Sequence, residues 1–264
     1  MTTDSLADVG RVQVISLPTA QARHRAFARL NAGLDYVFHD AIDGRAVALP
    51  DRRDLFEDGL DYTPGAYGIA ATTWQLWKAV AAGDDIVTIA EDDAIFRPDF
   101  QHAVADLLQP CEPFDLVAWG YNFDSVLRLS LFDGRVPCVT TFDQDALRES
   151  IEGFRSDRGP VVLLPLLEFY GICAYSISPQ GAQRMLDRCF PLKPGAWQSL
   201  SLGRPVTNTG IDVVMNGHYA GLRCYAAFPP MAVTPNRSDT SSVQTREREW
   251  TTDEHEASSY WRTA

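Results

Sequence analysis

The sequence predicts an α/β domain in which a mostly parallel central sheet is flanked by helices and interrupted by an inserted β-hairpin. Two observations carry this expectation. Short runs rich in β-branched residues alternate with longer segments of helical period, and the first such run, helix and run form a β-α-β start. That unit implies parallel strands joined by a right-handed crossover. The run at 86–90 is short, apolar and bounded by Gly83-Asp84-Asp85, so it reads as a buried and parallel strand.

Taken in order, residues 11–17 alternate and then turn apolar, which predicts a strand ending at Ser16 or Leu17 before Pro18 breaks it. Residues 20–30 are helical, with Ala22, Ala26, Phe27 and Leu30 on one face and Gly33 as a stop. Arg23, His24 and Arg25 lie near the helix start, and a solvated polar face accounts for at least two of them. Residues 36–39 form the second strand, 41–44 a turn, and 45–62 an irregular connection. Thr63-Pro64 starts a helix with Thr as cap and Pro in the first turn, and its stripe of Tyr67, Ala70, Ala71, Trp74 and Trp77 is core. Residues 98–108 are a further amphipathic helix, and 116–119 a buried strand.

Asp133-Gly134 is a type I′ turn signal between apolar runs, so 127–131 and 135–142 form a hairpin whose Pro137 marks an edge strand. Residues 143–159 read as a loop or short helix, placed to act as a lid, an acceptor element or plain surface. The core resumes at 161–167. A strand at 172–177 follows, then a second Ser-Pro helix start at Ser178-Pro179. Residues 191–209 read as a connecting loop, 212–220 as a short helix and 222–226 as a last strand. The domain spans 11–235, between a tail at 1–10 and a polar tail at 236–264.

Composition narrows the function. The chain has 264 residues, 45% of them hydrophobic and 22% charged, and a net charge of −12, which argues against nonspecific nucleic-acid binding. The segment 1–10 lacks the basic start of a secretory signal, and no run is long enough to span a bilayer. Five scattered cysteines without a C-x-x-C pair fit reduced thiols in a cytoplasm, with attachment at the inner membrane's periphery as a variant of that location.

The chemistry concentrates at Glu91-Asp92-Asp93, three adjacent carboxylates at the C-terminal end of a buried strand. In open α/β sheets ligands bind at that end. Crowded anions call for raised pKa values, a basic partner or a bound cation, and an oxygen-only donor set suits Mg²⁺ or Mn²⁺. The competing reading is a solvated acidic turn leading into the next helix.

Several stretches together resemble glycosyltransferase family 25, whose bacterial members include lipooligosaccharide galactosyltransferases. The resemblance rests on Val14-Ile15-Ser16-Leu17-Pro18 with Arg23-His24, Ala41-Ile42-Asp43-Gly44, Tyr67-Gly68 through Trp77, and Ala90-Glu91-Asp92-Asp93. It continues in Tyr170-Gly171 through Ser178, with Ala182 and Leu186, and in Ile211-Asp212. It implies a GT-A-type fold, a UDP-sugar donor carrying galactose or glucose, and inverting transfer to a glycan, lipid-linked saccharide or other hydroxyl acceptor, as in lipopolysaccharide biosynthesis.

In that framework Asp93 is assigned as the direct metal ligand, with Glu91 or Asp92 helping or binding the donor ribose. Asp212 or His218 is a further candidate ligand, although His218 also reads as structural. The base that accepts the acceptor's proton is Asp212 or Glu168. Asp212 competes with a capping role, and Glu168 with pairing to Arg184 or Arg223. Arg23 is a candidate contact for the diphosphate or the uracil side, and Ser16 and Leu17 should lie near the nucleotide. Family members often carry Ser-His where this chain has Thr72-Thr73. That departure motivates an alternative, a catalytically weakened nucleotide-sugar or glycan-binding protein of the same fold. A metal-dependent phosphohydrolase is a third reading.

Overall fold

A computed structural model describes residues 10–236 except residue 112. The tail expected at 236–264 therefore lies outside the described residues apart from Asn236, as does 1–9. The predicted opening unit is present: β1 (Val12–Ser16), α1 (Gln21–Leu30) and β2 (Tyr36–Asp40), with β1 parallel to β2 in the register Val12↔Tyr36 to Ser16↔Asp40. Within α1 the apolar face is narrower than expected. Phe27 is buried and Ala26 and Leu30 are half-buried, but Ala22 is exposed while Arg23 and His24 turn inward.

The connection at 45–62 contains short 3₁₀ turns and leads to α2 (Pro64–Ala81), where the Thr63 hydroxyl accepts from Ala66 N–H as the cap. The A-x-D-G turn lies against this helix. A Cβ on Gly44 would sit 1.7 Å from Pro64 O, and one on Gly68 2.4 Å from Ile42 O, so both positions need glycine for the backbones to meet.

Next come β3 (Val87–Glu91), β4 (Ile95–Phe96), α3 (Phe100–Leu108) and β5 (Leu116–Gly120). The hairpin is β6 (Val126–Leu131) and β7 (Val136–Thr141), with β7 at the sheet edge as Pro137 predicts. Its Asp133 and Gly134 both have positive φ (54° and 85°), the I′ signature, but Phe132 joins them at 52° and the loop between paired residues runs 132–135. Then follow α4 (Gln144–Glu149), α5 (Ile151–Ser156), β8 (Val162–Phe169), β9 (Ala174–Ile177) and α6 (Pro179–Cys189), capped by Ser178 through its bond from Gly181 N–H at 3.0 Å. The stretch 191–209 corrects the loop expectation. It holds a separate two-stranded sheet, β10 (Ala196–Ser199) and β11 (Arg204–Thr207). Last come α7 (Ile211–Asn216), shorter than predicted, then β12 (Cys224–Phe228) and β13 (Ala232–Val233).

The central strand order is β2-β1-β3-β9-β5-β12, and every strand in it runs the same way except β9, which is antiparallel to both neighbours. Strand β9 starts at the lip where β3 ends, with Ala174 opposite Ala90, and runs back from there. Strand β8 belongs to two layers, pairing with β12 over 162–165 and with β6 over 166–169.

Alternation along the strands builds a core on each face. Ile89, Leu116, Ala118 and Tyr175 face α2 and α6, while Ala90, Val117 and Trp119 face α3 and Phe27 of α1. Polar side chains pair inside the core: Trp77 Nε1 donates to the Tyr175 hydroxyl (2.9 Å), and Ser176 Oγ meets Trp119 Nε1 and Thr88 Oγ1, each at 2.7 Å, while Thr73 Oγ1 and the Tyr219 hydroxyl have no hydrogen-bond partner among the described residues.

Candidate functional site

Strand β3 delivers its carboxylates to the lip of the sheet because its register ends at Glu91 on β1 and at Ala90 on β9. Glu91 N–H donates to Cys173 O (3.0 Å), fastening the lip to the start of β9. From there the three side chains diverge. Asp92 is buried and occupied: it accepts from Ser16 Oγ (2.5 Å) and Arg23 Nε (2.7 Å), and a second Arg23 nitrogen pairs with it. Ser16 Oγ also lies 2.9 Å from His24 Nε2, and the His24 ring stacks on Phe38 at 4.0 Å. Burial opposes the Arg23 cation, yet the charge and hydrogen bond of Asp92 raise its pKa above the ordinary value.

Asp93 is served differently. Arg23 is 3.8 Å away, and the Thr234 hydroxyl, beyond β13, supplies a hydrogen bond. Asp93 Oδ1 is buried without a hydrogen-bond partner among the described residues. Burial raises the Asp93 pKa, with Asp92 adding to the rise and Arg23 opposing it. Burial, reinforced by Asp93 and Asp92, pushes Glu91 up to about 8. Asp212 also bears on Glu91, so the first turn of α7 contributes negative charge to the same lip. Asp212 is not the cap, a place taken by Gly210; its Oδ2 accepts from Gly171 N–H at 3.1 Å.

Glu168 is buried and saturated. Its oxygens accept from Ser199 Oγ, from Ser201 N–H (3.1 Å) and Oγ (2.7 Å), and from the Tyr170 hydroxyl (3.0 Å). The expected pairing with Arg184 or Arg223 is corrected: both arginines hold Asp115 at the far end of the sheet. His218 lies at the other end of α7 beside Trp197, with ring centroids 6.0 Å apart, and burial together with Arg188 lowers its pKa. Leu17 is half-buried just beyond β1. Of Arg23, His24 and Arg25, expected to place at least two on a solvated face, only Arg25 is exposed, because the lip recruits Arg23 and His24. Thr72 and Thr73 are buried inside α2, where Thr72 Oγ1 donates to Gly68 O (2.8 Å) and accepts from Ile42 N–H (2.9 Å).

The structure thus gathers Ser16, Arg23, Glu91, Asp92, Asp93 and Asp212 at one lip, holds Glu168 beside it in a separate network, and gives His218 other neighbours. Thr234, Tyr170, Ser199 and Ser201 were not foreseen. Tyr170 has a local signal, two residues from Glu168. The others are brought in by chain reversals that residue spacing does not reveal.

The sequence model of Glycosyltransferase family 25 (LPS biosynthesis protein) matches residues 11–194, more than half of the chain. The chain belongs to glycosyltransferase family 25. It is therefore a glycosyltransferase, with a sugar donor and an acceptor as its partners. No curated protein matches it. Among solved structures it is similar to A197 from STIV, at 14% identity over 82% of this chain and 81% of that one, with a TM-score of 0.34. It is also similar to mannose-1-phosphate geranyltransferase from Thermus thermophilus, at 13% identity over 89% and 64% of the two chains, with a TM-score of 0.29. Among the described residues of this family 25 glycosyltransferase, no helix is long and apolar enough to cross a membrane.

A bound cation is one of the remedies that the three adjacent carboxylates call for, and the lip offers oxygen donors that would fit one. Among the described residues no cluster of three or more His, Cys, Asp or Glu forms a ready cation cage. Magnesium-type ions, however, are commonly held by one or two carboxylates with substrate phosphates completing the shell. Glu91 and Asp93, with the orphaned Asp93 Oδ1, supply that number of oxygen donors.

Proposed function

We propose that this glycosyltransferase moves a hexose, galactose or glucose, from a UDP-sugar to a hydroxyl of a glycan or lipid-linked saccharide, with inversion and with Mn²⁺ or Mg²⁺. The observation that carries the reading is the excess of carboxylate at the β3 lip. Arg23 is committed to Asp92, and Asp93 Oδ1 is buried without a partner among the described residues. Such a group is stabilised by a ligand that brings positive charge.

In this mechanism Asp93 would be the direct ligand of the ion and Glu91 its helper. The bound ion supplies Lewis-acid neutralisation of the departing diphosphate. Ser16, Leu17 and the Asp92–Arg23 pair form the wall on which the nucleotide lies. Asp92 keeps Arg23 oriented, and the guanidinium, 3.8 Å from Asp93, faces the negative charge that builds on the leaving group. Asp212 is the base. An acceptor hydroxyl oxygen bonds to the anomeric carbon, the bond to the diphosphate oxygen breaks with its electron pair leaving on UDP, and the hydroxyl proton passes to Asp212. The reading favours Asp212 over Glu168 because four donors already meet the Glu168 oxygens. His218 is left out of the ion's shell by its position beside Trp197 and Arg188. The five free cysteines, three of them buried, support a reducing compartment such as the cytoplasm.

The test is a thermal-shift screen of nucleotide-sugars with and without Mn²⁺, followed by a transfer assay. Stabilisation by UDP-galactose or UDP-glucose that requires the ion, with UDP release on addition of acceptor, is the expected result. Binding without UDP release across a broad acceptor panel would favour the binding-protein alternative.

A further inference from the structure

The β10–β11 hairpin, with its exposed tryptophan, takes no part in the donor chemistry above. We infer that Trp197 is a stacking platform for a sugar ring of the acceptor, an inference that rests on the glycosyltransferase reading of the lip. Of the tryptophans in the described region, Trp77 and Trp119 are fully buried and Trp74 is half-buried, whereas Trp197 is 38% exposed. Its six-membered ring lies over Gly217, where a Cβ would come within 2.2 Å of Cη2, so position 217 admits the ring only as glycine. Gly217 closes the helix whose first turn holds Asp212. At 1.5 Å per residue the two positions are about 8 Å apart along the axis, a separation that a short oligosaccharide spans.

The platform is held in place. Glu168 anchors Ser199 and Ser201. At the hairpin's other end Asn208 accepts from the Tyr62 hydroxyl (2.6 Å) and donates to Lys193 O (2.7 Å). An aromatic face fixed in advance binds without the cost of ordering it, and the same side chain on a loose loop would lose that advantage. Charge favours a saccharide too. Residues 188–211 include Arg188, Lys193 and Arg204 and no carboxylate, on a chain of net charge −12, so neutral or anionic sugars meet no repulsion from this segment.

The experiment titrates deacylated lipopolysaccharide core oligosaccharide into protein saturated with UDP and Mn²⁺, by calorimetry. Trp197→Ala is expected to weaken oligosaccharide binding by at least about tenfold. Trp197→Phe should keep most of it, Gly217→Ala should lose it by displacing the ring, and UDP affinity should be unchanged in all three. Equal oligosaccharide affinity in Trp197→Ala overturns the proposal, and so does parallel loss of UDP binding, which would mark a structural role. Leu200 and Leu202 are also exposed on this hairpin. If the wild type binds UDP but no oligosaccharide, the glycan platform is wrong, and sedimentation with phosphatidylglycerol vesicles in a Trp197-dependent way would then mark the hairpin as a membrane contact. A wild type that binds neither UDP nor UDP-galactose defeats the donor reading and the platform with it.

Discussion

At the end of the sheet where β5 and β12 begin, Asp115 is fully buried and fully met: Arg184 Nη1 is 2.7 Å away, Arg223 Nη2 3.3 Å, and the Arg223 N–H 2.9 Å. At the opposite end, where β3 stops, Glu91, Asp92 and Asp93 share Arg23, Asp212 adds to their field, and Asp93 Oδ1 has no partner among the described residues. A cavity of about 520 Å³ lies near the Asp115 end, lined by Gly83, Asp84, Phe114 and Ser178 among others. What separates the two ends is the balance of charge. A carboxylate enclosed by two guanidinium groups is a fold device, whereas an acidic lip left open is unfavourable until something binds.

Breaking each end should therefore fail in a different way. The largest effect belongs to Asp212→Asn, which should lower transfer by about 10²–10⁴-fold while UDP-galactose affinity stays within error, as single-turnover assays and calorimetry would measure. Near-normal turnover would remove Asp212 as the base. At the closed end, Asp115→Ala leaves the Arg223 N–H and two half-exposed arginines without their acceptor and should cost about 1–3 kcal/mol in denaturant unfolding. A loss well under that range would mean the arginines find other partners and the contrast between the ends is weaker than drawn. Beside the lip, Glu168→Gln turns an acceptor toward Ser201 into a donor and should cost about 2 kcal/mol. It should raise the acceptor KM more than it lowers kcat. A selective collapse of kcat would return Glu168 to the chemistry.

The smallest effect is pH-dependent and needs metal-free protein. Glu91 is held well above the usual carboxylate range, so the folded state binds its proton more tightly than the unfolded chain does. Stability contributed by that proton is present below the ordinary range and declines as pH rises toward about 8. In chelator, the Tm should fall across that window in the wild type and less in Glu91→Gln. Equal slopes would show that the lip is not strained by its own charge.

Much of this was legible in the residues because it depends on short-range rules. The caps at Thr63 and Ser178, the edge position of Pro137 and the strand that ends in Glu91-Asp92-Asp93 follow from propensity and period. The division of labour within the triplet was not legible. Asp92 turns to Ser16 and Arg23 because α1 rotates its polar residues inward, and helical period alone leaves that rotation undecided when Ala22 and Arg23 are adjacent. The hairpin at 196–207 was missed because its Pro and Gly residues match a loop, and what orders it is a carboxylate some thirty positions earlier, Glu168. Thr234 reaches Asp93 only through the pairing of β13 with β4 and β5.

The most direct test of the open lip is a calorimetric titration of UDP-galactose with Mn²⁺ into the wild type and Asp93→Ala, alongside a melting curve for each in the absence of metal. The expected result is ion-dependent donor binding in the wild type, its loss in the variant, and a variant Tm equal to or above that of the wild type, since one of the crowded anions has gone. Unchanged donor affinity in Asp93→Ala would contradict the account, because Asp93 Oδ1, which has no hydrogen-bond partner among the described residues, would then have no ligand to serve.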